Sequence, residues 1–234
     1  MSSSEVTAVL LSLKVAIIAV IGALPPSILC AYALAKWKFA GHSLLNGIVH
    51  LPLVLPPVVT GYFLLLLFGR NGALGEVLDH CCGIVFVFRW TGAALAAGIM
   101  AFPMIVRAVR LSIEAVDQQY EDAARTLGAN SLQVFLSITF PLSYPGILAG
   151  AVLGFAKALG EFGATITFVS NIPGETQTLP SAIYALTQSP DGDIPALRLA
   201  GLAVLISIGA ILYSEMLAQR VRRTRGAIPR VLIV

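Results

Sequence analysis

Two ionisable side chains lie inside an otherwise apolar run: Lys157 and Glu161, four positions apart. Charge at membrane depth is costly, so such groups pair with one another or line a water-filled path. At about 100° per residue, both fall on the face that carries Gly146, Gly150, Gly154 and Ala158. Small residues at steps of four let helix backbones approach closely in lipid. Leu148, Val152, Phe155, Leu159 and Phe162 fall on the other side and read as a lipid-facing surface. Two roles stay open for the charged residues. They lock a bundle as an i,i+4 ion pair, or they stand along a translocation path, for which Thr165 is a further candidate.

A second candidate for such a path is the run from Leu51 to Pro57, which ends in Pro56 and Pro57. Neither proline has an N–H, so regular helical bonding breaks there. Interrupted helices at depth often mark transporter sites; the alternative is a plain kink.

Other chemistry is missing. There is no G-x-x-x-x-G-K-[ST] loop to hold a nucleotide's phosphates, no H-E-x-x-H and no G-x-S-x-G. His42, His50 and His80 are far apart, and Cys30, Cys81 and Cys82 form neither a disulfide framework nor a zinc spacing. The expectation is a chain with no catalytic residue, no metal site and no cofactor of its own.

The elements that must position these residues follow from composition. Of 234 residues, 57% are hydrophobic and 12% charged, and the mean hydropathy is +0.87. A soluble domain runs about 45–50% apolar and about 25% charged. Disorder is excluded by the same figures. A membrane span needs roughly 20 mostly apolar residues. Five segments qualify, at about 9–35, 48–69, 90–106, 144–170 and 197–217. The expected fold is therefore all-α and integral to the membrane, a single domain over 1–234 with about five transmembrane helices. Lys14 and the apolar run after it imitate a signal peptide. Because the apolar run begins upstream of Lys14, and Lys36 and Lys38 follow it, the segment reads as a retained anchor.

Basic residues accumulate on the cytoplasmic side of a membrane. Five spans with the N-terminus outside place Lys36, Lys38, Arg107, Arg110, Arg125 and the tail arginines 220, 222, 223, 225 and 230 inside. Only Lys14, Arg70, Arg89 and Arg198 then lie outside. The Arg-rich tail is thus a topology signal, and no nucleic-acid partner is expected, only membrane lipid.

The cytoplasmic segment 107–143 contains Glu121, Asp122, Ala123, Ala124, Arg125 and Gly128. It reads as a short helix stopped at Gly128, which suits a left-handed cap, then an amphipathic helix stopped before Pro141. The spacing resembles the E-A-A-x-x-x-G-x9-I-x-L-P signature of ABC-importer permeases. Asp122 stands at the Glu position, Ala123, Ala124, Gly128, Ile138 and Pro141 match, and Phe140 replaces the Leu. The resemblance implies that this segment is a coupling helix docked in a separate ATPase subunit, where ATP and Mg would bind. The runs His50–Pro57 and Gly160–Thr176 resemble membrane subunits of the molybdate importer family, over about Ala8 to Ala218. The Gly-Glu-Phe-Gly-Ala part of the second run is shared with sulfate and thiosulfate permeases. Some relatives carry an additional N-terminal helix, for which the residues before Val15 leave no room. The resemblance implies import across the bacterial inner membrane by two copies of this chain, two ATP-binding subunits and a periplasmic molybdate-binding protein. The outer segment Asn171–Arg198, with turn signals at Pro173-Gly174 and Pro190-Asp191-Gly192, is the candidate surface for that protein, Glu175 and Asp191 its candidate contacts. A short helix with Leu179, Ile183 and Leu186 on one face is expected between the turns; the alternative is a loop that plugs its own bundle.

Overall fold

A computed structural model describes residues 2–226, and every regular element among them is helical. Arg230 of the basic tail lies outside the described residues.

Helix α1 spans Ser3–Lys36. Ser2 opens it with a capping box: its hydroxyl accepts from Glu5 N at 3.2 Å, and the Glu5 carboxylate accepts from Ser2 N at 2.9 Å. Such reciprocal bonds satisfy donors that the first turn leaves free. The helix continues through Pro25 and Pro26, which packed neighbours in a membrane permit.

Helix α2 (His42–Val54) and helix α3 (Pro57–Phe68) divide the second apolar segment. Leu55 is extended, as a residue before proline prefers, and the two axes bend by 113°. The expected span at 48–69 is therefore two half-helices rather than one kinked rod. Helix α4 (Ala73–Cys82) follows and ends on Gly83 in the left-handed region (φ 64°). All three cysteines are free thiols.

Helix α5 (Trp90–Glu114) is the centre of the bundle. Ala93, Ala96, Ala97, Ala101, Ile105, Val106 and Val109 are all fully buried. Small residues let its neighbours come close: a β-carbon at Gly98 would stand 3.2 Å from the Ala19 carbonyl of α1. This central packing of α1 on α5 fits a retained span.

Segment 107–143 holds helix α6 (Gln118–Thr126) and helix α7 (Ser131–Val134). A π-helical turn at Phe135–Thr139 then leads without interruption into helix α8 (Phe140–Leu159). The helix expected to stop before Pro141 does not stop. Phe140 N bonds to the Phe135 carbonyl, five residues back. The register is reset one residue before the proline, so its missing N–H falls at the start of α8, where none is needed.

Helix α9 (Gly163–Val169) completes the fourth apolar segment after a break at Gly160–Phe162. Helix α10 (Leu179–Thr187) follows, and helix α11 (Asp193–Gly226) is the last described element. Leu179 and Ala182 of α10 pack against Ala8 of α1 and Leu199 of α11. Leu179 N also donates to Ser12 Oγ, and Arg198 pairs with Glu5 at 3.3 Å.

Among the described residues, four helices are long and apolar enough to cross a membrane: Ser3–Lys36, Trp90–Glu114, Ser131–Leu159 and Asp193–Ala210. The bent pair α2–α3 makes a fifth crossing if it is taken as one.

The small-residue face of α8 meets α5 as its spacing predicts. A β-carbon at Gly154 would lie 2.6 Å from Ile105 Cδ1, and one at Gly150 3.3 Å from the Ile105 carbonyl. The expected lipid face is only partly open: Leu148 and Val152 are half-buried, Phe155 packs against the core, Phe162 lies on the Tyr184 ring, and Leu159 is only 5% exposed because it ends α8 where the chain turns inward. Overpacking such a contact costs about 1–3 kcal/mol. Gly154→Leu should lower the melting temperature of the purified membrane protein by several degrees. Gly201→Leu, at a position with open space around it, should not. Melting followed by monodisperse elution on size exclusion measures both.

Candidate functional site

Three groups of residues were singled out by sequence: one in segment 107–143, one formed by Pro56, Pro57, Lys157, Glu161 and Thr165, and one formed by Glu175 and Asp191. The first group begins where α5 ends. Asp117 caps α6 by accepting from Gln119 N at 2.9 Å. Gly128 closes the segment at φ 88°, with Gly128 N bonded to the Arg125 carbonyl and Ala129 N to the Ala124 carbonyl. Only glycine adopts this backbone without penalty. Asn130 then starts α7 with a second capping box to Gln133.

Within α6 the acidic neighbours face opposite ways. Asp122 is exposed and pairs with Arg125 at 3.0 Å. Glu121 is 3% exposed; its Oε1 meets Lys36 Nζ at 2.9 Å and accepts from Thr139 Oγ1 at 2.7 Å. Ala123 is exposed and Ala124 half-buried. Around them Tyr120, Leu127, Leu132 and Leu136 present exposed apolar side chains, Leu127 at 89%. Exposed large apolar side chains gathered around one short polar helix make this segment a candidate protein interaction site. Lys36 and Thr139 were missed by the sequence reading as site residues. Lys36 carried only a topology signal, and nothing in the pattern announced that the chain brings Thr139 back to it.

The second group is built on the two interruptions, which pack against each other. A β-carbon at Gly163 would stand 2.9 Å from Pro57 Cβ and 3.4 Å from Val58 N. One at Gly61 would stand 2.9 Å from Ala164 Cα. Thus the Pro56-Pro57 break and the break at Gly160–Phe162 share one location between α3, α5 and α9. Glu161 bridges the second break. One carboxylate oxygen takes Lys157 Nζ at 2.6 Å, and the other accepts from Ala164 N at 3.0 Å, in the first turn of α9. Lys157 occupies the last turn of α8, where a cation is favoured. The two charges are not equally open: the Lys157 side chain is 28% exposed, that of Glu161 2%. Thr165 is buried against the bundle, and the neighbouring half-helix α3 carries Thr60, a buried hydroxyl with no hydrogen-bond partner. The pattern did not single out Thr60.

In the segment Asn171–Arg198, Gly174 takes φ 81° in the expected turn, Ser170 is held at φ 67°, and Thr176 Oγ1 accepts from Ile172 N at 3.0 Å. The expected short helix forms as α10, with Leu179, Ile183 and Leu186 packed toward α1 and α11. Glu175 and Asp191 stay exposed beside it.

Removing one partner of a buried pair strands the other. Glu161→Ala should lose both the Lys157 pair and the α9 cap, at a cost of about 1–3 kcal/mol. Glu161→Gln keeps an acceptor for Ala164 N and should cost less. Combining Glu161→Gln with Lys157→Met should recover part of the loss. Thermal denaturation of the three variants in one detergent orders them.

Comparison with known proteins agrees with this architecture. Residues 12–223 match the model of the family described as "Binding-protein-dependent transport system inner membrane component". The "Molybdenum transport system permease protein ModB" of Escherichia coli (strain K12) is 53% identical over 226 residues, covering 97% of this chain and 99% of that protein. The "Sulfate transport system permease protein CysW" of Synechococcus elongatus is 40% identical over 178 residues, 75% of this chain and 62% of that one. Among solved structures, a bacterial ABC transporter involved in the import of alginate superposes with a TM-score of 0.74 at 17% identity, covering 94% of this chain and 80% of that one. With a family match over nearly its whole length and apolar helices able to cross a bilayer several times, the chain belongs to the inner-membrane components of binding-protein-dependent transport systems and is a multi-pass membrane subunit.

Proposed function

We propose that the chain is the permease subunit of a molybdate importer that also passes tungstate, working as two copies with two ATP-binding subunits and a periplasmic binding protein. The observation that carries this reading is the 53% identity, over 97% of the chain, to a permease named for molybdenum transport. Sulfate is the second reading. It is favoured by the likeness to CysW, which is lower and covers less of both chains.

In this reading the N-terminus lies outside and the C-terminus in the cytoplasm, supported by the excess of basic residues on the segments so placed. The apolar surface around α6 then faces the cytoplasm, where Asp122, Ala123, Ala124, Arg125 and Gly128 meet the ATPase. ATP and Mg belong to that subunit. The two paired interruptions lie at membrane depth, which makes Pro56, Pro57, Lys157, Glu161 and Thr165 the candidates for the path. Lys157, the more open of the charged pair, is the group that would attract an oxyanion. Glu175 and Asp191 are the candidate contacts for the binding protein.

Uptake of labelled molybdate in cells with and without the gene tests the substrate. Unlabelled tungstate should compete and equimolar sulfate should not; uptake that sulfate suppresses as well as tungstate does would favour the second reading. The coupling role has its own test. Ala124→Glu places a charge in the docking surface, and Gly128→Val puts a branched residue at φ 88°. Each should leave membrane insertion intact but reduce co-purification of the ATPase and abolish uptake. If both variants hold the ATPase and transport normally, α6 is not the coupling element.

A further inference from the structure

Glu121 makes a contact that a docking surface does not require. It is the buried residue of an otherwise exposed polar helix, yet it is a carboxylate. The remaining side-chain bonds of α6 are local: Asp117 to Gln119 N, Asp122 to Arg125, and Thr126 to the Ala123 carbonyl. Glu121 alone reaches out, and a single oxygen, Oε1, receives both Lys36 and Thr139. Lys36 is the last residue of α1, and Thr139 the last residue of the π-helical turn. An apolar side chain in this position would hold α6 at least as firmly, since buried ion pairs rarely stabilise more than well-packed hydrophobic groups. What a carboxylate adds is a fixed partner and direction.

The connectivity shows why that matters. Along the chain, α6 is joined only to α5, through residues 115–117, and to α7, through 127–130. Helix α1 is remote in sequence and has no covalent route to α6. Yet α1 packs on both α5 and α8, so it must move with them if the bundle is to rearrange as a unit. We infer that Glu121 is a positioning residue for coupling: through Lys36 and Thr139 it ties α6 to α1 and to the start of α8, so that force applied to α6 reaches all three central helices together. The inference rests on the reading of α6 as the ATPase-coupling element. The π-helical turn lies at the receiving end of this link, and such turns mark places where a helix changes register at functional sites.

The test uses the complete transporter, permease with ATPase and binding protein, reconstituted in vesicles with molybdate as the probe. Glu121→Gln keeps the side chain's size and an acceptor for Thr139 but removes the ion pair. ATPase subunits should co-purify with it as before and hydrolyse ATP. Molybdate moved per ATP hydrolysed should fall by about tenfold, within the range of ordinary coupling energies. Amide exchange over 118–126 should quicken in the same variant. The reversed pair Lys36→Glu with Glu121→Lys should restore much of the ratio; the neutral pair Lys36→Met with Glu121→Gln, which has no ion pair to carry the motion, should not. An unchanged ratio in Glu121→Gln overturns the inference. So does a loss of ATPase retention equal to that of Ala124→Glu, because Glu121 would then merely support the docking surface. Failure of the reversed pair to restore the ratio, or full restoration by the neutral pair, overturns it as well. Failure of the underlying coupling reading has a different signature: Ala124→Glu and Gly128→Val then behave normally, whatever Glu121 does.

Discussion

In a bilayer no water is present to satisfy a backbone N–H or C=O, so every break in a helix must be covered by protein. Among the described residues, two apolar segments are interrupted, at Leu55-Pro56 and at Gly160–Phe162. The chain covers these breaks by packing one on the other, with Gly61 and Gly163 at the contacts where any side chain would collide. Much of the architecture follows from that pairing. Helix α3 has to leave α2 at a steep angle to reach α9, and α9 has to fold back between α3 and α5. Glu161 supplies a charged acceptor to the restarting helix, and Lys157 balances it. Irregular backbone is thereby confined to one protected place between the half-helices.

Around this place the bundle is held by contour rather than by large apolar side chains. Lipid tails are as apolar as leucine, so burying a leucine between membrane helices gains little, and close backbone approach gains more. Helix α5 accordingly presents a nearly continuous alanine and glycine surface to α1, and α8 presents Gly146, Gly150 and Gly154 to α5. The large apolar residues point outward: Leu10, Ile21, Leu29, Leu66 and Leu205 are all exposed. In a soluble protein this would be an inverted distribution. Here it is the expected one.

The two short polar-flanked helices are held differently. Helix α10 closes over its own bundle through Leu179 and Ala182, with the Glu5–Arg198 pair beside it. Glu175 and Asp191 remain exposed. Helix α6 is almost free of apolar burial, and Tyr120 and Leu127 stay uncovered. In the proposed reading, α10 closes the side that receives cargo and α6 the side that receives motion.

Composition and periodicity alone determined that this is an all-helical membrane protein. They located the apolar segments, and the step of four in Gly146, Gly150 and Gly154 foretold the contact face of α8. The left-handed turn at Gly128 and the pairing of Lys157 with Glu161 were legible too, because each depends on residues within a few positions of one another. Tertiary structure decided what depends on distant partners. A proline pair announces a break but not its 113° angle, which is set by where α9 waits to receive α3. Pro141 looked like a helix stop, and the π-helical turn before it removes the conflict. Leu159 looked lipid-facing because a helical wheel assumes that the helix goes on, whereas the chain turns at Gly160 and buries it. Glu121 and Asp122 are indistinguishable in the pattern; only the fold, by bringing Lys36 and Thr139 together, turns one inward and leaves the other to the surface.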